Sequence, residues 1–354
     1  MDCPHFGDCG GCYFSIPYKK QLEAKSKTLS NTFDKEVEII PSAKTEGYRQ
    51  RMDYVYAFGK LGLRKKGNFR EVVDIKRCNL ISESMNDMLE KIRHLLVKHH
   101  IASHDYLEHK GYLRYVIMRE AKFTGQLMVG FVTADKRDYL TPLIEEIKNN
   151  CESIVWSVNE TMSDTSYGTV YKSWQDSIEE NFDSIRLKIT ANVFFQPNPY
   201  VAKYITSIIK EFVFGRTIEL YCGIGTIGLY CASRTQSIKG AESVPESIEL
   251  ARENAKINGV EAEFYCMESA KYLNNKVAVD TVIADPPRAG MGRKTCRKIL
   301  WKKPKRIIIM SCNPKTLHYD LKFLEKKYDV KYLKGFDMFP HTKHIECLCV
   351  LDRK

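Results

Sequence analysis

Residues 219–228 read ELYCGIGTIG and combine the end of an apolar strand with a glycine-rich turn and the start of a helix. Glycines with this spacing bring bare backbone amides toward whatever binds at the turn. Strand, glycine turn and helix in this order are typical of nucleotide-binding α/β folds. The stretch therefore predicts a parallel sheet with a ligand site at the carboxyl end of this strand.

The sequence after residue 186 repeats this strand, turn and helix rhythm. We expect seven strands, at 217–222, 238–243, 263–267, 280–287, 306–312, 330–336 and 345–352. The last two are too close in sequence for a crossover helix, so they must pair as an antiparallel hairpin. A seven-stranded, Rossmann-like α/β sheet that ends in such a hairpin is typical of S-adenosylmethionine-dependent methyltransferases.

The first half of the chain is organised differently. The pattern predicts a polar helix over 18–33, turn-punctuated strands over 44–77 and a helix over 84–99, before two strands joined at a Lys-Phe-Thr-Gly turn. Paired strands with a helix are typical of a small α+β domain. We predict three domains: a cysteine-containing basic region over 1–80, a central α+β domain over 81–185, and the α/β catalytic domain over 186–354.

The composition excludes several classes of protein. With 44% hydrophobic and 28% charged residues, the 354-residue chain is not a disordered one. It has neither an apolar run of the roughly 18 residues that span a membrane nor a signal peptide, so we expect a cytoplasmic protein. The 55 Lys and Arg against 44 Asp and Glu give a net charge of +11, which indicates an anionic partner or serves solubility. Twelve cysteines in a reducing compartment indicate metal ligands, a nucleophile or buried thiols.

Two carboxylates accompany the glycine turn. Glu242 lies 19 residues after Gly223, at the end of the next predicted strand, where it can accept hydrogen bonds from ribose hydroxyls. NAD and S-adenosylmethionine suit this spacing equally. Glu219 favours the methyl donor, whose amino acid group it could hold, since NAD presents a pyrophosphate instead.

Residues 285–288 read DPPR and end the fourth predicted strand of this half, where methyltransferases hold the acceptor base. Enzymes that methylate exocyclic amines place an aromatic residue after the two prolines. Enzymes that make 5-methylcytosine in RNA place a cysteine after the proline. Arg288 stands there instead, so both chemistries are disfavoured.

Residues 306–314 read RIIIMSCNP and place Cys312 at the carboxyl end of an apolar strand, where α/β folds carry their chemistry. A thiol there can add to C6 of a pyrimidine and make C5 nucleophilic enough to attack a methyl sulfonium. A base must then remove the C5 proton, and Glu346 at the start of the last strand is the best candidate. The alternatives are a buried strand thiol for Cys312 and a surface carboxylate for Glu346.

Five motifs resemble one enzyme family, the RNA uracil C5 methyltransferases that make 5-methyluridine in tRNA and 23S rRNA. They are FFQPN (194–198), ELYCGIGT (219–226), DPPRAG (285–290), SCNP (311–314) and DMFPHTKHIE (337–346). The resemblance implies that Cys312 is the nucleophile and Glu346 the proton acceptor. It also implies a pocket for S-adenosylmethionine, formed by Gln196, Tyr221, Gly223, Gly225, Thr226, Glu242 and Asp285.

Four further cysteines form a three-plus-one pattern: Cys3, Cys9, Cys12 and Cys78. Zinc and iron–sulfur clusters both use such ligands, and spacing alone leaves both open. The resemblance implies a [4Fe-4S] cluster with a structural role, because members of the family carry this cysteine pattern.

Residues 44–77 carry ten Lys or Arg against four acidic residues, with aromatic residues between them. Such a segment is typical of a surface that contacts phosphates and stacks unpaired bases, although a solvated strand pair would have a similar composition. We therefore interpret 1–80 as an iron–sulfur and RNA-facing region.

The sequence thus predicts an S-adenosylmethionine-dependent enzyme that methylates C5 of a uridine in structured RNA. Because the cysteine motif starts at Cys3, the layout resembles the short rRNA-modifying members, and 23S rRNA is the favoured substrate. The alternatives are a tRNA T-loop uridine as substrate, a non-catalytic iron–sulfur RNA-binding protein, and an NAD oxidoreductase. We expect neither a membrane nor an obligate protein partner.

Overall fold

A computed structural model describes residues 2–275 and 277–354 of the chain. Its helices are α1 (Tyr18–Phe33), α2 (Glu83–Lys98), α3 (Thr141–Ile147), α4 (Pro199–Phe212), α5 (Thr226–Cys231), α6 (Pro245–Ile257), α7 (Ser269–Tyr272), α8 (Gly292–Lys302) and α9 (Pro314–Leu324). Its strands are β1 (Ile39–Ile40), β2 (Arg51–Ala57), β3 (Lys60–Lys65), β4 (Asn68–Asp74), β5 (Leu113–Glu120), β6 (Leu127–Thr133), β7 (Ser153–Val158), β8 (Thr169–Trp174), β9 (Ser177–Phe182), β10 (Ile185–Thr190), β11 (Arg216–Leu220), β12 (Ser237–Glu242), β13 (Ala262–Cys266), β14 (Thr281–Ala284), β15 (Arg306–Ser311), β16 (Tyr328–Phe336) and β17 (Glu346–Arg353). Among these helices, none has the length and apolar character of a membrane span.

The chain folds into two compact units. Unit 1 comprises Met1–Ser15, Lys44–Glu180 and Lys188–Asn192. Unit 2 comprises Ile16–Ala43, Asn181–Leu187 and Val193–Lys354. The β9–β10 hairpin contributes residues to both units.

This grouping differs from the three consecutive domains that the sequence predicts. Residues 44–77 and the central α+β segment form one sheet, because β2 pairs with β5 in antiparallel register. Helix α1 belongs to unit 2, because Leu29 and Phe33 pack into the core of that unit. A polar helix with so few apolar residues carries no sequence signal for this long-range packing.

Unit 1 is built on a seven-stranded sheet in the order β4-β3-β2-β5-β6-β7-β8. Strands β5 and β6 pair in antiparallel fashion as predicted, whereas β6 and β7 are parallel and are connected through α3. Helix α2 begins after Ser82, whose side chain accepts a hydrogen bond from the Met85 N–H. Its apolar residues recur at helical spacing and pack against the sheet.

Unit 2 contains an eight-stranded sheet in the order β1-β16-β17-β15-β14-β11-β12-β13. All seven predicted strands form, and β16 and β17 make the predicted antiparallel hairpin. Strand β1 pairs with β16 at the edge and was not predicted, since two residues are too short for a periodic pattern. The central strand β15 is apolar and buried, so the residues that follow it are firmly anchored.

Two helices of unit 2 begin at an Asn-Pro step. Asn198 and Asn313 each cap the helix that follows, by accepting a hydrogen bond from the N–H of Val201 and Lys315, respectively. Proline occupies the first helical position in both cases, where its missing N–H costs nothing. These steps end the preceding segments sharply and fix Gln196 and Cys312 beside helix starts.

Candidate active site

Three predicted residues directly follow neighbouring parallel strands of unit 2. Tyr221 follows β11, Asp285 follows β14 and Cys312 follows β15. The order β15-β14-β11 brings these carboxyl ends to one edge of the sheet. Carboxyl ends at such an edge form the usual ligand crevice of an open α/β sheet.

Glu346 reaches the same edge from the antiparallel strand β17. Ser311 of β15 is paired with Cys347 of β17, so Cys312 and Glu346 come next on the two strands. Glu346 is only 2% exposed, and its Oε1 atom has no hydrogen-bond partner among the described residues. A buried, unpartnered carboxylate oxygen beside a thiol is available for proton transfer.

The Cys312 thiol is half-buried and surrounded by charged groups. Burial, followed by the Glu346 and Asp285 carboxylates, raises the pKa of Cys312 to about 11, while Arg288 acts in the opposite direction. The alternative interpretation of Cys312 as a buried strand thiol does not fit this exposure. The positive charge of Arg288 favours the thiolate, which is the nucleophilic form.

Asp285 lies close enough to influence both Cys312 and Glu346. Its Oδ2 accepts a hydrogen bond from Gln196 Nε2 at 2.8 Å. Burial raises the pKa of Asp285 to about 7. Burial and the nearby Asp285 also raise the pKa of Glu346 well above its usual value, because two carboxylates in one buried site resist ionising together.

Helix α9 holds the loop that carries Arg288. Asn313 Nδ2 and Thr316 Oγ1 both donate to the Arg288 carbonyl oxygen, at 3.0 and 3.3 Å. One turn further along, Asp320 accepts hydrogen bonds from the N–H groups that begin α8. The helix after the thiol thus fixes both ends of the arginine loop.

An open cleft lies at the same strand ends. Five of the predicted cofactor residues line it: Gln196, Tyr221, Gly223, Thr226 and Asp285. Tyr221 has a φ of 60°, a left-handed conformation that a non-glycine residue adopts only when its surroundings enforce it. The sharp turn exposes the backbone of the glycine loop to the cleft.

The remaining predicted cofactor residues, Gly225 and Glu242, have other contacts. Gly225 has a φ of 81°, and a Cβ atom there would come within 2.9 Å of the Phe264 ring. Glu242 Oε1 accepts hydrogen bonds from the Ser243 and Val244 N–H groups at 2.6 and 3.0 Å, so it shapes the turn after β12. Both residues build the loop that borders the cleft, and their contact with a cofactor stays a prediction.

Glu219 lines the cleft and also braces the glycine loop. Its Oε2 accepts a hydrogen bond from the Gly228 N–H at 3.0 Å, and a Cβ atom on Gly228 would lie 2.5 Å from that oxygen. Burial raises the pKa of Glu219 to about 8. The third glycine of the motif, Gly228, is therefore required because any side chain there would collide with the Glu219 carboxylate.

Sequence reasoning missed an aromatic wall of the cleft, formed by Phe182, Phe194 and Phe195. Phe194 is 59% exposed, and its position two residues before Gln196 was an available signal. Phe182 lies on β9, far from any motif, and packs edge-on against Phe195 with ring centroids 6.1 Å apart. Nothing in the local sequence indicates that contact.

The four cysteines of the three-plus-one pattern come together in unit 1. Burial, followed by the Cys78, Cys9 and Cys3 thiols, raises the pKa of Cys12 to about 12. The Gly11 N–H donates to Cys9 Sγ at 3.3 Å. Within residues 2–275 and 277–354, no group of three or more His, Cys, Asp or Glu is arranged to hold a metal ion.

The basic segment 44–77 forms β2, β3 and β4 of unit 1. Several of its basic side chains pair with carboxylates, among them Arg51 with Asp53 and Lys65 with Glu71. Phe69 remains largely exposed. The RNA-facing role of this segment stays a prediction.

Comparisons with known proteins find similarity along almost the whole chain. Residues 17–354 match the sequence model of the family described as tRNA (uracil-5-)-methyltransferase. The tRNA (uracil(54)-C(5))-methyltransferase of Pyrococcus furiosus is 38% identical over 354 residues, covering 99% of this chain and 85% of that protein. An uncharacterized RNA methyltransferase of Nanoarchaeum equitans is 34% identical, covering 99% of this chain and 80% of that protein.

A solved structure has the same fold. The crystal structure of the tRNA (uracil-54, C5)-methyltransferase of Pyrococcus abyssi, in complex with S-adenosyl-L-homocysteine, matches with a TM-score of 0.87 and 35% identity. The match covers 97% of this chain and 86% of that one. The resemblance drawn from the five motifs is confirmed, and the chain belongs to the tRNA (uracil-5-)-methyltransferase family.

Proposed function

We propose that this protein transfers a methyl group from S-adenosylmethionine to C5 of uridine 54 in tRNA. The observation that carries the proposal is the convergence of Cys312, Glu346 and Asp285 at one sheet edge, beside the glycine-loop cleft. The layout of the sequence favours 23S rRNA. The Pyrococcus furiosus and Pyrococcus abyssi relatives are named for uridine 54 of tRNA, so the tRNA alternative replaces it.

The residues of the cleft fit the methyl donor. Gln196, Tyr221 and Asp285 would contact it, and the exposed backbone of the glycine turn offers N–H donors. The bound S-adenosylmethionine supplies an electrophilic methyl group on a sulfonium. Asp285 would then face both the donor and the acceptor base, because it lines the cleft and influences the pKa of Cys312.

Cys312 acts on the base in this proposal. Its thiol loses its proton, and the thiolate sulfur bonds to C6 of uracil while the C5–C6 π electrons move toward C5 and O4. C5 would then bond to the methyl carbon of the donor as the sulfonium C–S bond breaks, and S-adenosylhomocysteine would leave with that electron pair. The positive charge of Arg288 offsets the two carboxylates around the thiol and favours the thiolate.

Glu346 completes the reaction. Its Oε1 atom accepts the C5 proton, the electrons of that C–H bond form the C5–C6 double bond, and the C6–S bond breaks to return the thiolate. One proton is released to solvent in each turnover. The carboxylate must be ionised to accept this proton. The pKa of Glu346 must therefore lie below the working pH when RNA is bound.

A direct assay of substrate choice tests the proposal. Purified protein and S-adenosylmethionine are incubated with an unmodified tRNA transcript, with the same transcript carrying cytidine at position 54, and with 23S rRNA transcripts. We expect about one 5-methyluridine per tRNA by nucleoside mass spectrometry, and none in the other two RNAs. Methylation of the 23S rRNA or of the cytidine-54 transcript would refute the assignment of uridine 54.

We further propose that Cys3, Cys9, Cys12 and Cys78 hold a [4Fe-4S] cluster. The thiols are close enough to raise one another's pKa. Bound iron would offset this effect, because it favours the thiolate form of its ligands. The buried Tyr54 hydroxyl lies beside Cys78 and Cys9 and has no hydrogen-bond partner among the described residues. A sulfur atom of the cluster would accept a hydrogen bond from it. The methyl transfer needs no redox step, so the role of the cluster is structural.

Anaerobic reconstitution distinguishes a cluster from a zinc ion. We expect about four irons and four acid-labile sulfides per chain, and the loss of both in Cys78→Ser. Cys151→Ser is the matched control, since Cys151 is a buried thiol in the same unit outside this group. One zinc per chain without sulfide would contradict the proposal.

A further inference from the structure

Helix α1 directs a row of polar side chains into the core of unit 2. Tyr18, Gln21 and Lys25 follow one another at helical spacing on one face. Gln21 and Lys25 are each 1% exposed, although most of the remaining helix is polar and solvent-facing. Buried polar side chains on a surface helix need partners, because an unpaired buried amide or ammonium is strongly destabilising.

Gln21 and Lys25 both have partners on the loop between β16 and β17, at residues 337–341, which we call the 337–341 loop. Gln21 Nε2 also donates to the Ile16 carbonyl oxygen at 2.9 Å, and the Tyr18 hydroxyl accepts from the Ser42 N–H at 2.8 Å. Lys25 Nζ donates to Asp337 Oδ1 at 2.5 Å and to the Phe339 carbonyl oxygen at 3.0 Å. Gln21 Oε1 accepts from the His341 N–H at 3.0 Å, and Gln21 Nε2 lies 3.2 Å from His341 Nδ1. Helix α1 therefore holds the loop at both ends.

The FFQPN motif supports the same loop from a second side. Asn198 is fully buried, and its Nδ2 donates to the Met338 carbonyl oxygen at 3.2 Å. The Asp337 N–H donates to the Ile40 carbonyl oxygen at 2.9 Å. Backbone and side chains of the 337–341 loop are thus fixed by three separate segments.

A buried ion pair of this kind does not serve stability efficiently. Taking Lys25 and Asp337 out of water costs about as much as their attraction returns, and apolar residues of similar size pack equally well. In some proteins such pairs instead select one arrangement among several that packing would allow. His341 has a φ of 66°, so the loop also contains a strained conformation that Gln21 holds in place.

The loop leads directly into the proposed active site. His344 packs edge-on against Phe339, with ring centroids 5.7 Å apart, and its Nδ1 lies 3.5 Å from Arg288 Nη2. Two residues later the chain reaches Glu346. A displacement of the 337–341 loop would therefore move the proposed base relative to Cys312, which is held by a different strand.

We infer that Lys25, Asp337 and Gln21 are positioning residues for the removal of the C5 proton by Glu346. The inference rests on the proposed function. These three residues act through the 337–341 loop and touch neither the methyl donor nor the uracil base. Loss of the pair should slow the last step of the reaction selectively, because attack by Cys312 does not require Glu346 to be aligned with C5.

The test is a single-turnover reaction of Lys25→Met with the uridine-54 tRNA transcript. We expect the covalent enzyme–tRNA complex, seen on a denaturing gel, to accumulate because its breakdown is slowed roughly ten- to a hundredfold. Asp352→Asn is the matched control. It removes the negative charge that pairs with Arg306, whose Nε lies 2.6 Å from Asp352 Oδ1. This ion pair lies at the end of β15 and β17 opposite to Cys312 and Glu346, so the fraction of covalent complex should be unchanged.

A second variant addresses folding. In Lys25→Met with Asp337→Asn, no buried carboxylate is left unpaired, so this double variant should fold and still accumulate the complex. If it, or a folded Lys25→Met, breaks the complex down at the rate of Asp352→Asn, the positioning role is refuted while the proposed function stands. If the wild type makes neither complex nor product with tRNA, the proposed function fails first.

Discussion

Cys312→Ala is expected to lose methyl transfer to tRNA by at least about 10⁴-fold, because neutral uracil C5 is too weak a nucleophile without addition at C6. The variant should also form no covalent complex with tRNA. Initial rates with a saturating uridine-54 transcript measure the first effect, and a denaturing gel measures the second. Binding of S-adenosylhomocysteine should be retained, since the thiol is absent from the residues that line the described cleft.

Cys349→Ala is the matched control for this experiment. Cys349 is a fully buried thiol of β17, in the same sheet and with a pKa that burial raises. Its replacement leaves a small cavity and should cost about 1–2 kcal/mol of unfolding free energy without changing the reaction. Measurable turnover in folded Cys312→Ala would contradict the covalent mechanism.

Glu346→Gln is expected to trap the reaction after methylation. Attack at C6 and methyl uptake at C5 can proceed, but the amide cannot accept the C5 proton, so turnover should fall by roughly 10²–10⁴-fold. The enzyme should accumulate as a covalent complex whose base already carries the methyl group. Mass spectrometry of the complex, prepared with methyl-labelled donor, detects that label.

The pH dependence of stability provides an internal control for Glu346→Gln. The raised pKa means that the folded protein holds this proton to a higher pH than the unfolded chain does. Wild-type stability therefore falls as pH rises between the unfolded and folded pKa values, and the glutamine variant escapes this loss. Urea unfolding should find the two proteins similar in acid and the variant more stable at alkaline pH. A variant that releases product at the wild-type rate would remove Glu346 from the mechanism.

The positions of the proposed catalytic residues could be predicted because they follow from local pattern. Cys312 ends an apolar strand and precedes an Asn-Pro helix start, and both features are visible in nine consecutive residues. Glu346 begins a strand whose pairing with β15 follows from the terminal hairpin. The order of the parallel strands then brings these residues together without further information.

The supporting contacts could not be predicted, since they join residues far apart in sequence. Lys25 and Asp337 are 312 positions apart, and a lysine on a polar helix ordinarily indicates a solvent-facing side. Phe182 reaches the cleft from a hairpin strand that carries no motif. Glu242 uses one carboxylate oxygen in its own turn, a local contact that its spacing from Gly223 does not reveal.

The choice between RNAs has a similar origin. The five motifs describe uracil chemistry, which tRNA and rRNA substrates share, so they leave the substrate open. Two of the relatives compared above are named for uridine 54 of tRNA, and their similarity extends along nearly all of the chain, including the thiol-bearing unit 1.

The most direct test of the account is the identity of the residue that bonds to the base. A tRNA transcript containing 5-fluorouridine traps the complex, because the fluorine at C5 cannot be removed as a proton is. Nuclease and protease digestion followed by tandem mass spectrometry then locates the bond. We expect one methylated fluorouridine, from position 54, attached to the peptide that contains Cys312. Attachment to any other residue, or a trapped base from another position, would contradict it.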